Sequence, residues 1–344
     1  MIRLAVLAAA LVLGAAPALA RSDGEAPRAQ GTDRTETPAV APRAPLPPAL
    51  ADLRTQDERV LRLGYRLVTG NARYCADATH TAGLLLHDVR AYGNGDELRR
   101  VLGLSGDIGV QALVPDGPAT RAGLKVDDTI IAIGAMQVAE IVLDGAKSWE
   151  RIETIRAESE RLLAETGSLP LTVLRADGPA EIAIEGVPAC RSRFEIGDDG
   201  RAVADGHRVV IGADFAGIDY SDPLLAAVLA HEFGHNLLRH RAWMDANGGR
   251  KRKAVRLTER EADRLMPWLL ANAGFEPQAA AEFFEKWGPR HGGWIFRARS
   301  HDGWDERVEF VAAEIARMEA LGSTDWSEHF LKEELPGDVA VEGR

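Results

Sequence analysis

The chain has 344 residues, of which 46% are hydrophobic and 27% are charged. This is the composition of an ordinary globular protein, and the length is sufficient for two modest domains with tails. The formal net charge of -11 at pH 7 argues against a nucleic-acid partner, because phosphate binding requires clustered Lys and Arg.

The N-terminus has the layout of a secretory signal. Arg3 precedes an apolar run over residues 4–16, and Ala18-Leu19-Ala20 places small residues where a signal peptidase reads them. The pattern predicts a cleaved signal peptide over residues 1–20 and hence a periplasmic or secreted protein. The alternative is an uncleaved membrane anchor, although the apolar run is short for a membrane span. A membrane contact is expected only in that case.

The next segment changes from linker to helix. Residues 21–48 are rich in Pro, Ala, Thr and charged residues and have almost no large apolar side chains, which predicts a disordered linker. From residue 48 to 69 apolar residues recur at roughly helical spacing, and this predicts a helix.

Residues 101–186 have a different pattern, with short apolar runs separated by turn residues. Alternation and turn signals predict four strands and two helices in this segment. The strands are expected at 109–114, 129–133, 171–175 and 181–185, and the helices at 119–123 and 149–164.

Residues 114–128 read VPDGPATRAGLKVDD and resemble the most characteristic stretch of bacterial protease-associated PDZ domains, except that Asp127 replaces the usual Gly. The resemblance implies a small β-rich PDZ-like domain over residues 101–186. Its groove between a strand and a helix is expected to accept a peptide C-terminus by strand addition, with Gly106–Gly109 as the carboxylate-binding loop. A domain that serves only as a spacer or lid is the alternative.

The chain has two cysteines, and an even number in an exported protein favours a disulfide over two buried thiols. Cys75 precedes the PDZ-like segment and Cys190 follows it. A bridge between them is therefore expected to join the two ends of an inserted domain.

The strongest chemical signal is a His-Glu-x-x-His motif in a predicted helix over residues 224–240. His231 and His235 are four residues apart, so both imidazoles lie on one face, one turn apart, where they can share a metal. Glu232 lies beside them and is expected to reach a water on that metal.

A catalytic zinc requires three protein ligands and one open position. Leu238 and Arg241 stand where a metzincin has Gly and its third His, so that class is excluded. Glu259 on a following helix offers the gluzincin solution. Asp263, one turn later on the same face, is expected to accept a hydrogen bond from a ligand His and fix its tautomer.

Two neighbouring residues are expected to have no role at the metal. Glu261 points to another face of the helix and is expected to be exposed, and His240 is expected at the surface. Pro267 falls inside the helix that carries Glu259, so this helix is expected to kink or end there.

Residues 187–320 resemble the HtpX and CAAX-prenyl endopeptidase family of zinc metallopeptidases (peptidase family M forty-eight). The matching segments are Leu229–Asn236, Glu259–Arg264, Ala273–Pro277, and Ser300-His301 with Arg307, although Asp302 stands where the family has Pro.

The resemblance implies roles for residues outside the motif. His301 and Arg307 are expected near the zinc, acting on the substrate carbonyl or regulating access. The alternative for Arg307 is a structural ion pair with a carboxylate. The strand at residues 208–211 is expected at the edge of the cleft, where an extended substrate can pair with it.

The sequence therefore predicts an α+β protein with a mostly helical gluzincin-type metallopeptidase core, a short edge sheet and an inserted PDZ-like domain. The core takes residues 49–100, as its N-terminal helical part, and residues 187–335. Residues 336–344 form a C-terminal tail.

The expected function is zinc-dependent hydrolysis of peptide bonds in exported proteins, in quality control of the bacterial cell envelope. One Zn²⁺ per chain is expected on His231, His235 and Glu259, and the expected partners are polypeptides, including misfolded envelope proteins. The alternative is a catalytically slow PDZ scaffold or holdase that binds chain ends.

Overall fold

The computed structural model describes residues 45–141, 148–291 and 302–332. The predicted signal peptide, almost all of the predicted linker, His301 and the predicted C-terminal tail lie outside the described residues. The described ranges combine helices with mainly antiparallel sheets, which confirms the α+β class.

Ten α-helices lie in these ranges, and none of them is long and apolar enough to cross a membrane. They are α1 (Pro48–Gly70), α2 (Gly95–Leu102), α3 (Pro118–Arg121), α4 (Ser148–Thr166), α5 (Asp222–Leu237), α6 (His240–Ala246), α7 (Arg252–Asn272), α8 (Ala279–His291), α9 (Trp304–Leu321) and α10 (Trp326–His329).

The same ranges contain eleven strands. They are β1 (Thr79–Thr81), β2 (Leu84–Asp88), β3 (Ile108–Leu113), β4 (Thr129–Ile133), β5 (Met136–Gln137), β6 (Ser168–Arg175), β7 (Gly178–Glu185), β8 (Val187–Ala189), β9 (Arg193–Gly197), β10 (Ala202–Ala204) and β11 (Arg208–Gly212).

The strands from β2 to β7 form one antiparallel six-stranded sheet in the order β2-β3-β4-β6-β7, with β5 paired to β4. Helix α4 packs beside this sheet, and buried aliphatic side chains such as Ile108, Val173 and Ile155 fill the space between them. We call residues 84–185 the β-rich unit. It begins earlier than predicted, because Leu84–Asp88, assigned to a helical segment, forms an outer strand of the sheet.

The chain enters and leaves the β-rich unit side by side. Strand β1 pairs antiparallel with β8, from Thr79 opposite Ala189 to Thr81 opposite Val187. The predicted disulfide between Cys75 and Cys190 is present directly beyond this pairing. The two ends of the unit are therefore joined by both backbone hydrogen bonds and a covalent bond.

The second hydrophobic core is mostly helical and lies around α5, whose residues 224–230 are all buried. Helices α1, α7 and α8 pack against α5, and α9 packs against α7 and α8. Helix α7 continues through Pro267 to Asn272, so the helix does not end there. Pro267 has no N–H group, so one backbone hydrogen bond of the helix is missing. The side chains on either side of it, Met266 and Trp268, are fully buried, and their burial offsets this loss.

A three-stranded sheet covers one side of this core in the order β10-β11-β9, with β9 parallel and β10 antiparallel to β11. Strand β11 was expected at the edge of the cleft, but it is the central strand and both of its edges are paired. The outer strand next to α5 is β10, so the predicted edge position of residues 208–211 is wrong.

Candidate metal centre

Two helices position the central side chains. Helix α5 begins at Asp222 with Pro223 in its first turn and carries His231 and His235 on one face. Helix α7 packs across it, and a Cβ atom at Gly234 would lie 3.5 Å from the Cα atom of Ala262. Because small residues meet at this contact, α7 approaches closely enough to bring Glu259 to the two histidines.

The ligand atoms of the three predicted metal ligands converge. The Nε2 atoms of His231 and His235 are 3.2 Å apart. Oxygen atoms of Glu259 lie 3.3 Å from Nε2 of His231 and 3.6 Å from Nε2 of His235. The three side chains are 12%, 14% and 17% exposed, so the cluster is largely shielded from solvent.

These separations fit a tetrahedral zinc site. Ligands at about 2.0–2.1 Å from a tetrahedral zinc lie about 3.3–3.4 Å from each other. Two imidazoles and one carboxylate are also a donor set of known catalytic zinc sites, in which the fourth position is open. The residues present therefore fit a zinc ion.

The two histidines have opposite protonation tendencies. Burial lowers the pKa of His235 well below its ordinary value, so its imidazole is neutral and has a lone pair that a metal can bind. Burial also opposes a charge on His231, but Asp263 and Glu259 outweigh it and raise the pKa of His231 to about 10. A metal that binds His231 therefore displaces a proton.

In the sequence of α5, Glu232 follows His231 and precedes His235. Burial raises the pKa of its carboxyl to about 7, and the negative charge of Glu259 adds to this effect. A carboxyl group with a pKa near neutrality can both accept and donate a proton at physiological pH.

Asp263 contacts both a candidate ligand and a cation. Its Oδ1 atom lies 2.9 Å from Nδ1 of His231, at ion-pair distance but without the angle of a hydrogen bond. The Nε and Nη2 atoms of Arg307 donate to its two oxygens at 2.6 and 2.5 Å. Of the two alternatives for Arg307, the ion pair with a carboxylate is the contact that the structure contains. The guanidinium also lies 4.2 Å from the ring centre of Phe284.

His301 lies outside the described residues, so its role stays a prediction. The side chain of the next residue, Asp302, is only 5% exposed and accepts hydrogen bonds from Arg256 at 2.5 Å and Arg260 at 3.1 Å. Both arginines are on the helix of Glu259. Asp302 therefore holds the segment that follows His301 against α7.

Two residues that were predicted to be exposed are buried at this site. His240 is 2% exposed and Glu261 is 5% exposed. The two Nδ1 atoms of His240 and His235 are 2.8 Å apart, and Nε2 of His240 lies 3.0 Å from Oε2 of Glu261. The prediction for His240 fails because α5 ends at Leu237 and Arg239 has φ 55°, which turns the chain back toward His235.

The sequence did contain a signal for Glu261. Leu257 and Leu265 stand four residues before and after it, which places Glu261 on an apolar stripe of the helix. The sequence has no comparable signal for His240. Its position depends on the positive φ of Arg239, which is uncommon for a residue other than glycine and is not indicated by the sequence.

The β-rich unit has a groove at a different place from the predicted one. Strand β3 pairs with β2 on one side and β4 on the other, so the strand that follows Gly106–Gly109 has no edge for a peptide. The predicted carboxylate-binding loop is therefore wrong. Within the described ranges, β2 pairs on one edge only, and a cavity of about 400 Å³ lies between β2, α4 and β9.

Comparisons with known proteins add no assignment. No family model matches this sequence, and none of the curated proteins matches it either.

Proposed function

We propose that this chain is a zinc-dependent endopeptidase of the gluzincin type that hydrolyses peptide bonds in exported proteins. The observation that carries the proposal is the convergence of His231, His235 and Glu259, whose ligand atoms are 3.2–3.6 Å apart. The sequence resemblance to the HtpX and CAAX-prenyl endopeptidase family supports the same reading.

The chain's own residues account for the proton transfers of peptide hydrolysis. A zinc ion on the three ligands would lower the pKa of a bound water and polarise the scissile carbonyl. Glu232 would accept a proton from the attacking water and donate it to the leaving amine. Asp263 contacts both His231 and Arg307, so the side chains of His231 and Arg307 keep fixed positions during the reaction.

Two strand edges support a polypeptide substrate. Within the described ranges, strand β10 lies beside α5 and pairs on one edge only, and the backbone of its residue Ala204 hydrogen-bonds Glu232, so its other edge is where an extended chain would pair close to Glu232. In the β-rich unit, which we propose to be PDZ-like, the outer edge of β2 beside α4 is the place for a chain end. The signal-like N-terminus and the disulfide support an envelope location.

The test is a Glu232→Gln variant, which removes the base but leaves the three ligands. We expect this variant to hold one zinc per chain and to cleave unfolded casein about 10²–10⁴ times more slowly than the wild type. Zinc content is measured by elemental analysis and cleavage by released fluorescence. Glu282→Gln, an exposed change on α8, is the control and should cleave like the wild type.

The alternative function is a slow scaffold or holdase. A wild-type chain that holds zinc and prevents casein aggregation but does not cleave casein would establish that alternative. Full cleavage by Glu232→Gln would reject the proposed mechanism. A wild-type chain that binds no zinc would reject the metal centre itself.

A further inference from the structure

The buried pair of His240 and Glu261 is not used in the proposed mechanism. It lies at the end of a continuous chain of contacts that starts at His235, with nitrogen–nitrogen and nitrogen–oxygen distances of 2.8 and 3.0 Å. A buried histidine and a buried carboxylate on different helices are costly to desolvate unless they are paired. Their pairing next to a candidate metal ligand calls for a physical explanation.

Only one placement of the protons on His235 and His240 satisfies both contacts when His235 binds a metal. If Nε2 of His235 binds a metal, its proton must be on Nδ1. The facing Nδ1 of His240 must then accept that proton's hydrogen bond, so His240 carries its own proton on Nε2. That N–H group points to the Oε2 atom of Glu261, which accepts.

We propose that His240 and Glu261 are positioning residues that fix the tautomer and ring orientation of His235 for metal binding. This inference rests on the proposed zinc site and adds the support of its second histidine. His240 and Glu261 do not touch the metal or the substrate, and they act only through His235.

The position of Glu261 on α7 explains why it contacts His235 through a second histidine, His240. Glu259 and Asp263 are one turn apart on one face of α7, and they reach the metal position and His231. Glu261 is two residues from each, about 200° around the helix from Glu259 at about 100° per residue. Its carboxylate therefore meets His235 only through the imidazole of His240.

The competing explanation is that the pair merely holds α6 against α7. Met244 of α6 also packs against Ala254 and Val255 of α7, so a structural role alone is physically reasonable. A structural role predicts lost stability without a specific effect on the metal. A positioning role predicts weaker zinc binding and a changed ligand field, and it predicts rescue by a residue that restores the acceptor.

The experiment compares zinc affinity, measured by competition with a chromophoric chelator, in His240→Leu, His240→Asn and wild type. We expect His240→Leu to bind zinc about 10–100 times more weakly, the usual effect of losing such a supporting residue. In His240→Asn, the amide oxygen takes the place of Nδ1 as acceptor and should restore most of the affinity. The visible spectrum of the cobalt-substituted protein should shift in the Leu variant and return in the Asn variant.

His87→Leu is the matched control, because His87 is also buried, at 5% exposed, but lies in β2 of the β-rich unit. It should bind zinc like the wild type. Equal affinity and equal cobalt spectra in His240→Leu and wild type would overturn the proposal, as would equal weakening in His87→Leu. So would an Asn variant as weak as the Leu variant.

If His240→Leu does not fold, nitrogen NMR of the zinc-loaded wild type decides. A proton on Nε2 of His240 supports the proposal and a proton on its Nδ1 rejects it. A wild type without zinc affinity rejects the proposed function instead, so the two failures are distinguishable.

Discussion

At the scale of single residues, one carboxylate supports two neighbours. Asp263 is 1% exposed and contacts both His231 and the guanidinium of Arg307. In Asp263→Asn the guanidinium loses its charge partner, and breaking a buried pair in this way costs about 3–5 kcal/mol of unfolding free energy. We also expect zinc affinity to fall about 10–100-fold, because His231 loses its anion. Urea unfolding and chelator competition measure the two effects.

Glu314→Gln separates the two effects. Glu314 is 4% exposed and accepts hydrogen bonds from Arg264 of α7 and from Trp268, but it does not contact a candidate ligand. The Glu314→Gln variant should lose stability and keep its zinc affinity. If both variants lose zinc affinity equally, Asp263 acts only through the fold, and its assigned contact with His231 has no role in binding.

The spacing of residues explains which part of this site could be predicted. His231 and His235 share a face by helical periodicity alone, and one turn separates Glu259 from Asp263 on their helix. His240 reaches the site through the turn at Arg239, where φ is 55°. Such a turn depends on tertiary packing, so no local pattern predicts it.

At the scale of elements, strands bounded by clear turns were predictable and short outer strands were not. The prediction for β4 at residues 129–133 matches the structure, and those for β6 and β7 differ by only a few residues. Strand β2 has the sequence Leu-Leu-Leu-His-Asp, which does not alternate, and β10 has three residues. Long-range pairing creates these two strands, and it is not encoded locally.

The groove between β2 and α4 gives a prediction at this scale. Ser159 of α4 lines the cavity and is partly exposed, so Ser159→Trp should fill the groove without disturbing the core. We expect it to weaken binding of a fluorescent pentapeptide with a free C-terminal valine at least about 10-fold, because the peptide and the indole compete for one space. Fluorescence anisotropy measures the affinity.

The control for the groove is Ala157→Trp, which adds the same ring at an exposed position of α4. It should bind the peptide like the wild type. Equal binding by Ser159→Trp and Ala157→Trp, or no binding by the wild type, would contradict the assignment of the groove.

We expect the free energy of unfolding to depend on pH through Asp57, which lies at the contact between α1 and β3. Burial raises the pKa of Asp57 to about 6, although Gln111 donates a hydrogen bond to it at 2.9 Å. A carboxyl whose folded pKa is raised contributes stability below about pH 4 that is lost as the pH rises through about 6. Asp57→Asn should therefore be more stable than wild type by about 1–3 kcal/mol at pH 7.5 and equal to it below about pH 4.

Guanidinium unfolding at a series of pH values measures this difference. Asp52→Asn, an exposed change on the same helix, is the control. A difference between Asp57→Asn and wild type that does not vary with pH would mean that the charge of Asp57 is not the cause.

At the scale of the whole molecule, the junction between the helical core and the β-rich unit is closed twice, by the β1–β8 pairing and by the disulfide. Cys75 and Cys190 are 115 residues apart, and in the chain-entropy model a loop of this size stabilises by about 4–5 kcal/mol. The Cys75→Ser/Cys190→Ser double variant should lose about that much unfolding free energy in urea. Reduction of the wild type with dithiothreitol should reproduce the loss.

The same variant also tests whether the junction matters to the metal centre. The three candidate ligands come from α5 and α7, which pack directly on each other outside the loop that the disulfide closes. We therefore expect zinc affinity to stay within about two-fold of wild type, since the supporting contacts of the ligands are intact. A large loss of zinc affinity at unchanged folding would mean that strain at the junction reaches α5. An unchanged urea midpoint would mean that the β1–β8 pairing alone closes the junction.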